Sequence, residues 1–200
     1  MKQILKQKQH FYPFMTEKTL VSDLFQHFKN PKSQNPNSKI KMIPFENLPE
    51  ESKVWIYQSN RKFSDEEVVE ITTDLELFIE TWAAHGTLLE ASFQIRYNRF
   101  IIIAVNQEVQ NATGCSIDAS VQFIQTLEKK YGVDLLDKMN VSFKQGEFIT
   151  HKTLLEFKKL AKDKSVSENT IVFNNLVNTI EEMNDNWETP AGDSWHGRFF

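Results

Sequence analysis

The longest unbroken apolar run of this chain, Phe100 to Val105, has the length of a strand and stops far short of the roughly 20 residues that a membrane-crossing helix needs. A helical span is thereby excluded, and the run becomes one half of a hairpin. Leu88 to Arg96 and Arg99 to Asn106 alternate or run apolar around Tyr97-Asn98, the pattern of two antiparallel strands joined by a tight turn. Val54-Trp55-Ile56-Tyr57, β-branched and aromatic throughout, is a further buried strand.

Between these strands the period changes from two to three and four. Ser64 with Glu67 forms a capping box, and Val68, Ile71, Thr72, Leu75, Ile79 and Trp82 share one helical face until Gly86 supplies a stop. Ile117, Val121, Ile124 and Leu127, flanked by Ala119 and Phe123, predict a second amphipathic helix that ends near Gly132. Val141-Ser142-Phe143 and Glu147-Phe148-Ile149 flank Gln145-Gly146 as another hairpin. Two more helices are predicted, over about residues 152–163 and 167–183, the latter opened by Ser165 with Glu168 or by Ser167.

The order strand, helix, strand, strand, helix, strand is that of a ferredoxin-like βαββαβ antiparallel sheet with helices on one face, here extended by an extra strand and two C-terminal helices. The fold class is α+β. In this topology the first helix ends at the rim of the sheet where the second begins. His85 and Cys115 therefore belong to one rim, with Asn106 and the loop from Glu108 to Thr113 beside them.

Charge divides the chain. Residues 1–41 carry eight Lys against two acids, whereas residues 42–200 carry fifteen Lys and Arg against twenty-five Asp and Glu. Residues 30–39 are polar, contain two prolines and lack apolar side chains, which is how a linker reads. Residues 1–41 are accordingly a basic arm and linker, disordered or an over-extended start, although residues 16–28 carry Leu20, Leu24, Phe25 and Phe28 at the spacing of a short amphipathic helix. Residues 42–185 form a single α+β domain, and residues 186–200 form an aromatic C-terminal tail.

Cys115, the single cysteine, lies where a strand gives way to a helix. A helix start presents unpaired N–H groups and partial positive charge, which favour a thiolate, and His85 on the same rim would supply a base. Against this, Asp118 places a negative charge in the same helix, and no C-x-x-C or peroxidase-type pattern accompanies the cysteine. The structural alternative, which weighs more, is a helix start capped by Asp118, with Cys115 filling a small apolar gap. Ser116 and Asn106 complete the candidate binding set on this rim.

Other chemistries lack their motifs. Five scattered histidines and one cysteine give no metal-ligand spacing, and no cofactor is implied. No glycine precedes a lysine, so there is no Walker A loop, and there is no G-x-G-x-x-G. An RNA platform at Phe93, Tyr97 and Phe100 is disfavoured, because the strand from Arg99 to Ala104 lacks the RNP1 pattern and the domain is acidic. One cysteine and no secretory signal fit a cytoplasmic location.

Two Trp and two Phe in the last fifteen residues must be buried somewhere. The tail is expected to pack back through Trp187 and Trp195; otherwise it docks into a partner or builds a homo-oligomer. Trp195, His196 and Arg198 could also fold over the rim as binding residues.

The stretches Met42-Ile43-Pro44-Phe45, Val54-Trp55-Ile56-Tyr57-Gln58, Gly114-Cys115-Ser116-Ile117-Asp118, Asn186-Trp187-Glu188 and Asp193-Ser194-Trp195-His196 resemble a family of short bacterial proteins of unknown function often carried under the label "ABC transporter ATPase". The resemblance covers about residues 42–200 and favours Met42 as the family-like start. It implies no catalytic residue, and the ATPase label has no support without a Walker A motif. The expectation is a binding or interaction module for an unknown protein or small molecule. The alternative is a small thiol-dependent enzyme with Cys115 as nucleophile and His85 or His196 as base.

Overall fold

The computed structural model describes residues 42–200, so the basic arm and its amphipathic segment lie outside the described residues. Four α-helices and three antiparallel sheets make up an α+β fold among them. The first sheet contains β1 (Lys53–Gln58), β4 (Ala91–Arg96) and β5 (Phe100–Val105) in the order β1-β5-β4. Ile56 faces Ile102 and Trp55 faces Ile103 across one pair, and Arg96 faces Phe100 across the other.

Phe100 through Val105 are each 0% exposed because both faces of β5 are covered. On one face Tyr57, Ile101, Ile103 and Val105 meet α1 (Asp65–Thr81) and α2 (Gly114–Tyr131) through Ile71, Leu75, Phe78, Phe123, Ile124 and Leu127. Phe78 and Phe123 stack at 4.4 Å between ring centroids. On the other face Val54, Ile56, Phe100, Ile102 and Ala104 meet residues from the C-terminal third, among them Phe173, Ile180 and Trp187.

The capping box opens α1 as the sequence predicts, Ser64 accepting from the Glu67 N–H at 3.1 Å and Glu67 from the Ser64 N–H at 2.8 Å. Its end differs from expectation. The helix stops at Thr81, and β2 (Ala83–Ala84) and β3 (Thr87–Leu88) form a two-residue hairpin turned by His85 and Gly86 at φ 51° and 81°. Such a turn needs positive φ at both centres, which Gly adopts freely and His tolerates better than most residues.

The strand at Val141 does not take the fourth place that a ferredoxin-like sheet would give it beside β1. That edge is occupied by the C-terminal segment, the Val54 N–H donating to the Asn178 carbonyl at 2.9 Å and the Ile180 N–H to the Ser52 carbonyl at 3.1 Å. Instead β6 (Val141–Gln145) and β7 (Phe148–Lys152) form the expected hairpin and join β8 (Ile171–Phe173) and β9 (Glu188–Pro190) in a sheet of order β7-β6-β8-β9.

The helix predicted over 167–183 is corrected in the same region. Residues 171–173 are a strand, because Val172 pairs with both Phe143 and Thr189, and the helix that follows, α4, runs only Ile180–Asn186 with Thr179 as its cap. The other C-terminal helix, α3 (Leu154–Lys162), lies where predicted and starts on a Thr153 and Glu156 capping box.

Candidate functional site

Both helix termini expected at the Cys115 rim are there. The Trp82 indole N–H, at the end of α1, donates to the Ser116 carbonyl at 2.8 Å in the first turn of α2. His85 follows three residues later on the exposed hairpin tip, and Cys115 is also exposed. Among the described residues no hydrogen bond or ion pair joins the two side chains.

The cap expected from Asp118 is supplied by other residues. Thr113 accepts from the Ser116 N–H at 3.4 Å, and the Ser116 hydroxyl accepts from the Thr113 N–H at 2.7 Å. Ser116 is 2% exposed and committed to this box, so Cys115 is free to face solvent rather than fill a gap, and Asp118 is exposed farther along the helix. Asn106 is equally committed. Its Nδ2 donates to Glu90 Oε2 at 2.8 Å, and its Oδ1 accepts from the Glu108 N–H at 3.0 Å.

The tail residues pack elsewhere. Trp187 is 1% exposed among Phe100, Phe173 and Tyr97, with its indole N–H on Asn175 Oδ1 at 2.9 Å. Trp195 stacks on His196 at 3.9 Å in a 3-10 turn that packs against Phe157 of α3, and Arg198 lies over the Trp195 ring at 4.9 Å. Trp195 thus belongs to the apolar cluster of the second sheet, with Phe143 and Phe157, whereas α2 belongs to the cluster of the first. Among the tail's aromatic side chains Phe200 is the exposed one, at 41%.

His196 is 1% exposed, its Nδ1 is 2.8 Å from Ser194 Oγ, and its buried Nε2 has no partner among the described residues. Burial first, and the Arg198 charge second, push its pKa down to about 4. It is therefore neutral at neutral pH and serves the packing of the tail.

A second polar cluster lies where the two sheets meet, and sequence reasoning missed it. Arg99 sits between the Tyr97-Asn98 turn and β5, is 9% exposed, and donates from Nη1 to the Ser59 carbonyl at 2.9 Å. No carboxylate pairs with it among the described residues. Burial lowers the pKa of its guanidinium, the signature of a charge without compensation.

Gln58, the residue before the Ser59 whose carbonyl Arg99 meets, ends β1, is 4% exposed, and reaches the Asn140 carbonyl through Nε2, leaving its buried Oε1 without a donor among the described residues. Ser142, 0% exposed, lies across from His151, with Oγ and Nδ1 3.2 Å apart. The His151 pKa is lowered by burial first and then by the Arg99 charge, opposed by Asp137, Asp134 and Glu156. The signal in the sequence is Arg99 itself, a charge placed directly before a run of six apolar residues.

Among the described residues no group of three His, Cys, Asp or Glu side chains is placed to hold a metal ion, and no helix is long and apolar enough to cross a membrane. No known protein family matches the chain, and no curated protein or solved structure does either.

Proposed function

We propose that the chain is a binding protein without P-loop ATPase activity, and that its ligand site is the seam around Arg99. The observation that carries this reading is an arginine residue 9% exposed whose one side-chain hydrogen bond among the described residues goes to a neutral carbonyl. Leaving a buried charge unneutralised costs several kcal/mol even after relaxation, on the order of the whole margin of a small domain. Residues kept at such cost cluster at binding and catalytic sites. In the same reading the first sheet with α1 and α2 is the split half of a ferredoxin-like arrangement, and the single cysteine favours a cytoplasmic protein.

The test is a thermal-shift screen of small molecules against the full chain and its Arg99→Met variant. Methionine keeps much of the apolar stem and removes the charge. At least one compound is expected to raise the Tm of the wild type and leave the variant unmoved. If every stabilising compound acts equally on both, Arg99 is a structural residue and the reading fails.

The thiol enzyme rests on one observation, the Trp82 to Ser116 bond that brings the two rim elements together. It requires His85→Ala to slow alkylation of Cys115 by iodoacetamide. The binding reading requires no change.

A further inference from the structure

We propose that the outer edge of β7 is an interface between two copies of this chain, which pair antiparallel there and join their four-stranded sheets into one continuous sheet. In the order β7-β6-β8-β9, β7 stands at the edge with β6 as its neighbour. Gln145 faces Phe148 across a two-residue turn, so these two exchange both hydrogen bonds of a closed pair. Alternation from there sends the N–H and C=O of Phe148, Thr150 and Lys152 to β6 and those of Ile149 and His151 outward. Among the described residues no hydrogen bond reaches the outward groups, and such a row is a template for another strand.

The opposite edge of the same sheet is blunted and this one is not. There β9 has three residues and ends in Pro190, which lacks an N–H. β7 has five residues and no proline, and it opens on Phe148, 78% exposed. Leu155, in the first turn of α3 just beyond β7, is 78% exposed as well. Large apolar side chains in water beside an unpaired strand edge mark a surface built for association.

The occupant is a second copy because β7 complements itself. Pairing centred on Thr150 sets Ile149 opposite the partner's His151 twice over, by symmetry, and these two hydrogen-bonded pairs use every outward group of both strands. Sliding the centre to Ile149 or His151 leaves one such pair within the strands. The same register sets Phe148 opposite the partner's Lys152, a cation against a ring, and brings Glu147 one position from that lysine. Unlike charges therefore meet at each end of the ladder, and no like charges face one another. Lys152 is also tied to Glu156 at 3.2 Å, so its charge does not guard the edge alone. Thr150 pairs with Phe143, and Phe143 meets Phe157 of α3 at 5.5 Å, so Phe148 shares the sheet face that carries α3. A two-fold axis through Thr150 keeps both copies of α3 on that face, where each Phe148 arrives beside the start of the partner's helix and its exposed leucine.

A standard interface spreads about 800 Å² per partner over 20–30 residues, so β7, its turn and the first turn of α3 amount to about 300 Å² per copy and a weak dimer, with a Kd of about 10–100 µM. The interface needs no ligand at Arg99.

The experiment is sedimentation velocity of the full chain from about 5 to about 500 µM, a range that brackets this Kd, with amide hydrogen exchange at both ends. The mass is expected to climb toward the dimer, and the Ile149 and His151 amides to exchange several-fold more slowly at the high concentration. Phe148→Lys leaves an exposed position exposed and sets lysine opposite lysine, so association is expected to weaken at least about tenfold. Adding Lys152→Glu to it turns both cross-strand contacts into ion pairs and is expected to recover most of the lost affinity.

A chain that stays monomeric at about 500 µM overturns the proposal. So does a dimer whose Ile149 and His151 amides exchange at the monomer's rate, which puts the contact elsewhere, such as at the exposed Phe200. The wild-type exchange decides the matter even if a variant fails to fold. A folded double variant that associates no better than Phe148→Lys overturns the register on which the self-pairing rests.

Discussion

The indole N–H of Trp82 donates to the carbonyl oxygen of Ser116 at 2.8 Å in the interior of the protein. Trp82 closes α1 and Ser116 belongs to the first turn of α2, so one bond ties the end of the first helix to the start of the second. Around it Trp82 packs on Phe78 at 5.2 Å and edge-on to Trp55 at 6.2 Å, joining both helices to β1. Trp82→Phe keeps an aromatic ring and removes the donor. Because the Ser116 carbonyl sits in a helix and retains its place in the ladder, the expected loss is about 1–2 kcal/mol, read by urea unfolding. A variant as stable as the wild type would show that the ring, not the bond, holds the rim.

Helix starts offer a separate check. Both Ser64 and Thr113 accept from the N–H three residues on and receive a reciprocal bond to their own N–H. Ser64→Ala and Thr113→Ala should each lower stability by about 1 kcal/mol. The two caps open different helices of one core, so the double variant should lose close to the sum. Glu67 strengthens the first cap, because the Arg61 side chain and the Ser64 N–H hold its pKa down to about 2. A carboxylate depressed in the folded state contributes above its unfolded pKa and loses that contribution as pH falls toward 2. The wild type is therefore expected to shed this contribution below about pH 4.5, the range in which an unperturbed Glu takes up its proton, and Glu67→Gln to show less of that slope.

What could be read from the sequence follows the range of the interactions involved. Ser64 to Glu67 and the apolar face of α1 are local, and so are the two hairpins, which form with their turns shifted by a residue: Arg96 faces Phe100, so Arg99 joins Tyr97-Asn98 in the first turn, and Gln145 faces Phe148, so the second turn is Gly146-Glu147 rather than Gln145-Gly146. Residues 171–173 failed for the opposite reason. A three-residue strand has too little period to identify itself, and Val172 is extended because Phe143 and Thr189, distant in the chain, pair with it. The seam was hidden in the same way. Gln58, Ser142 and His151 come from two sheets and Arg99 from the turn before β5, and no spacing in the sequence announces that β6 joins the four-stranded sheet rather than the first. At the rim, the end of α1 and the start of α2 meet through Trp82 and Ser116, and the cap went to Thr113, whose side chain is one step ahead of the helix.

The tail depends on a close approach. A Cβ built on Gly197 would lie 2.9 Å from the Gly192 carbonyl oxygen, nearer than packed carbon and oxygen tolerate. Gly197→Ala must therefore move the 3-10 turn that holds Trp195 and His196 against Phe157. A loss of about 1–3 kcal/mol is expected, with a shift in tryptophan fluorescence as Trp195 leaves its neighbours. An unchanged spectrum and Tm would mean that the turn yields without releasing the tail.

His196 makes the same tail sensitive to acid. Its folded pKa is about 4, against an unfolded value of about 6.5, because the ring is buried and Arg198 is near. The unfolded state therefore binds the proton first, and stability falls as pH drops from about 6.5 to about 4, by on the order of 3 kcal/mol in full. Above that window the ring is neutral in both states and contributes no slope. His151, also depressed, slopes the same way, while Glu67 enters only below about pH 4.5. Urea unfolding at intervals between pH 7 and 4.5 should thus show a declining midpoint in the wild type. In His196→Phe, which keeps an aromatic ring on Trp195 without a titrating nitrogen, most of that decline should vanish. Parallel declines in the two proteins would place the acid sensitivity in His151 and the seam instead of the tail.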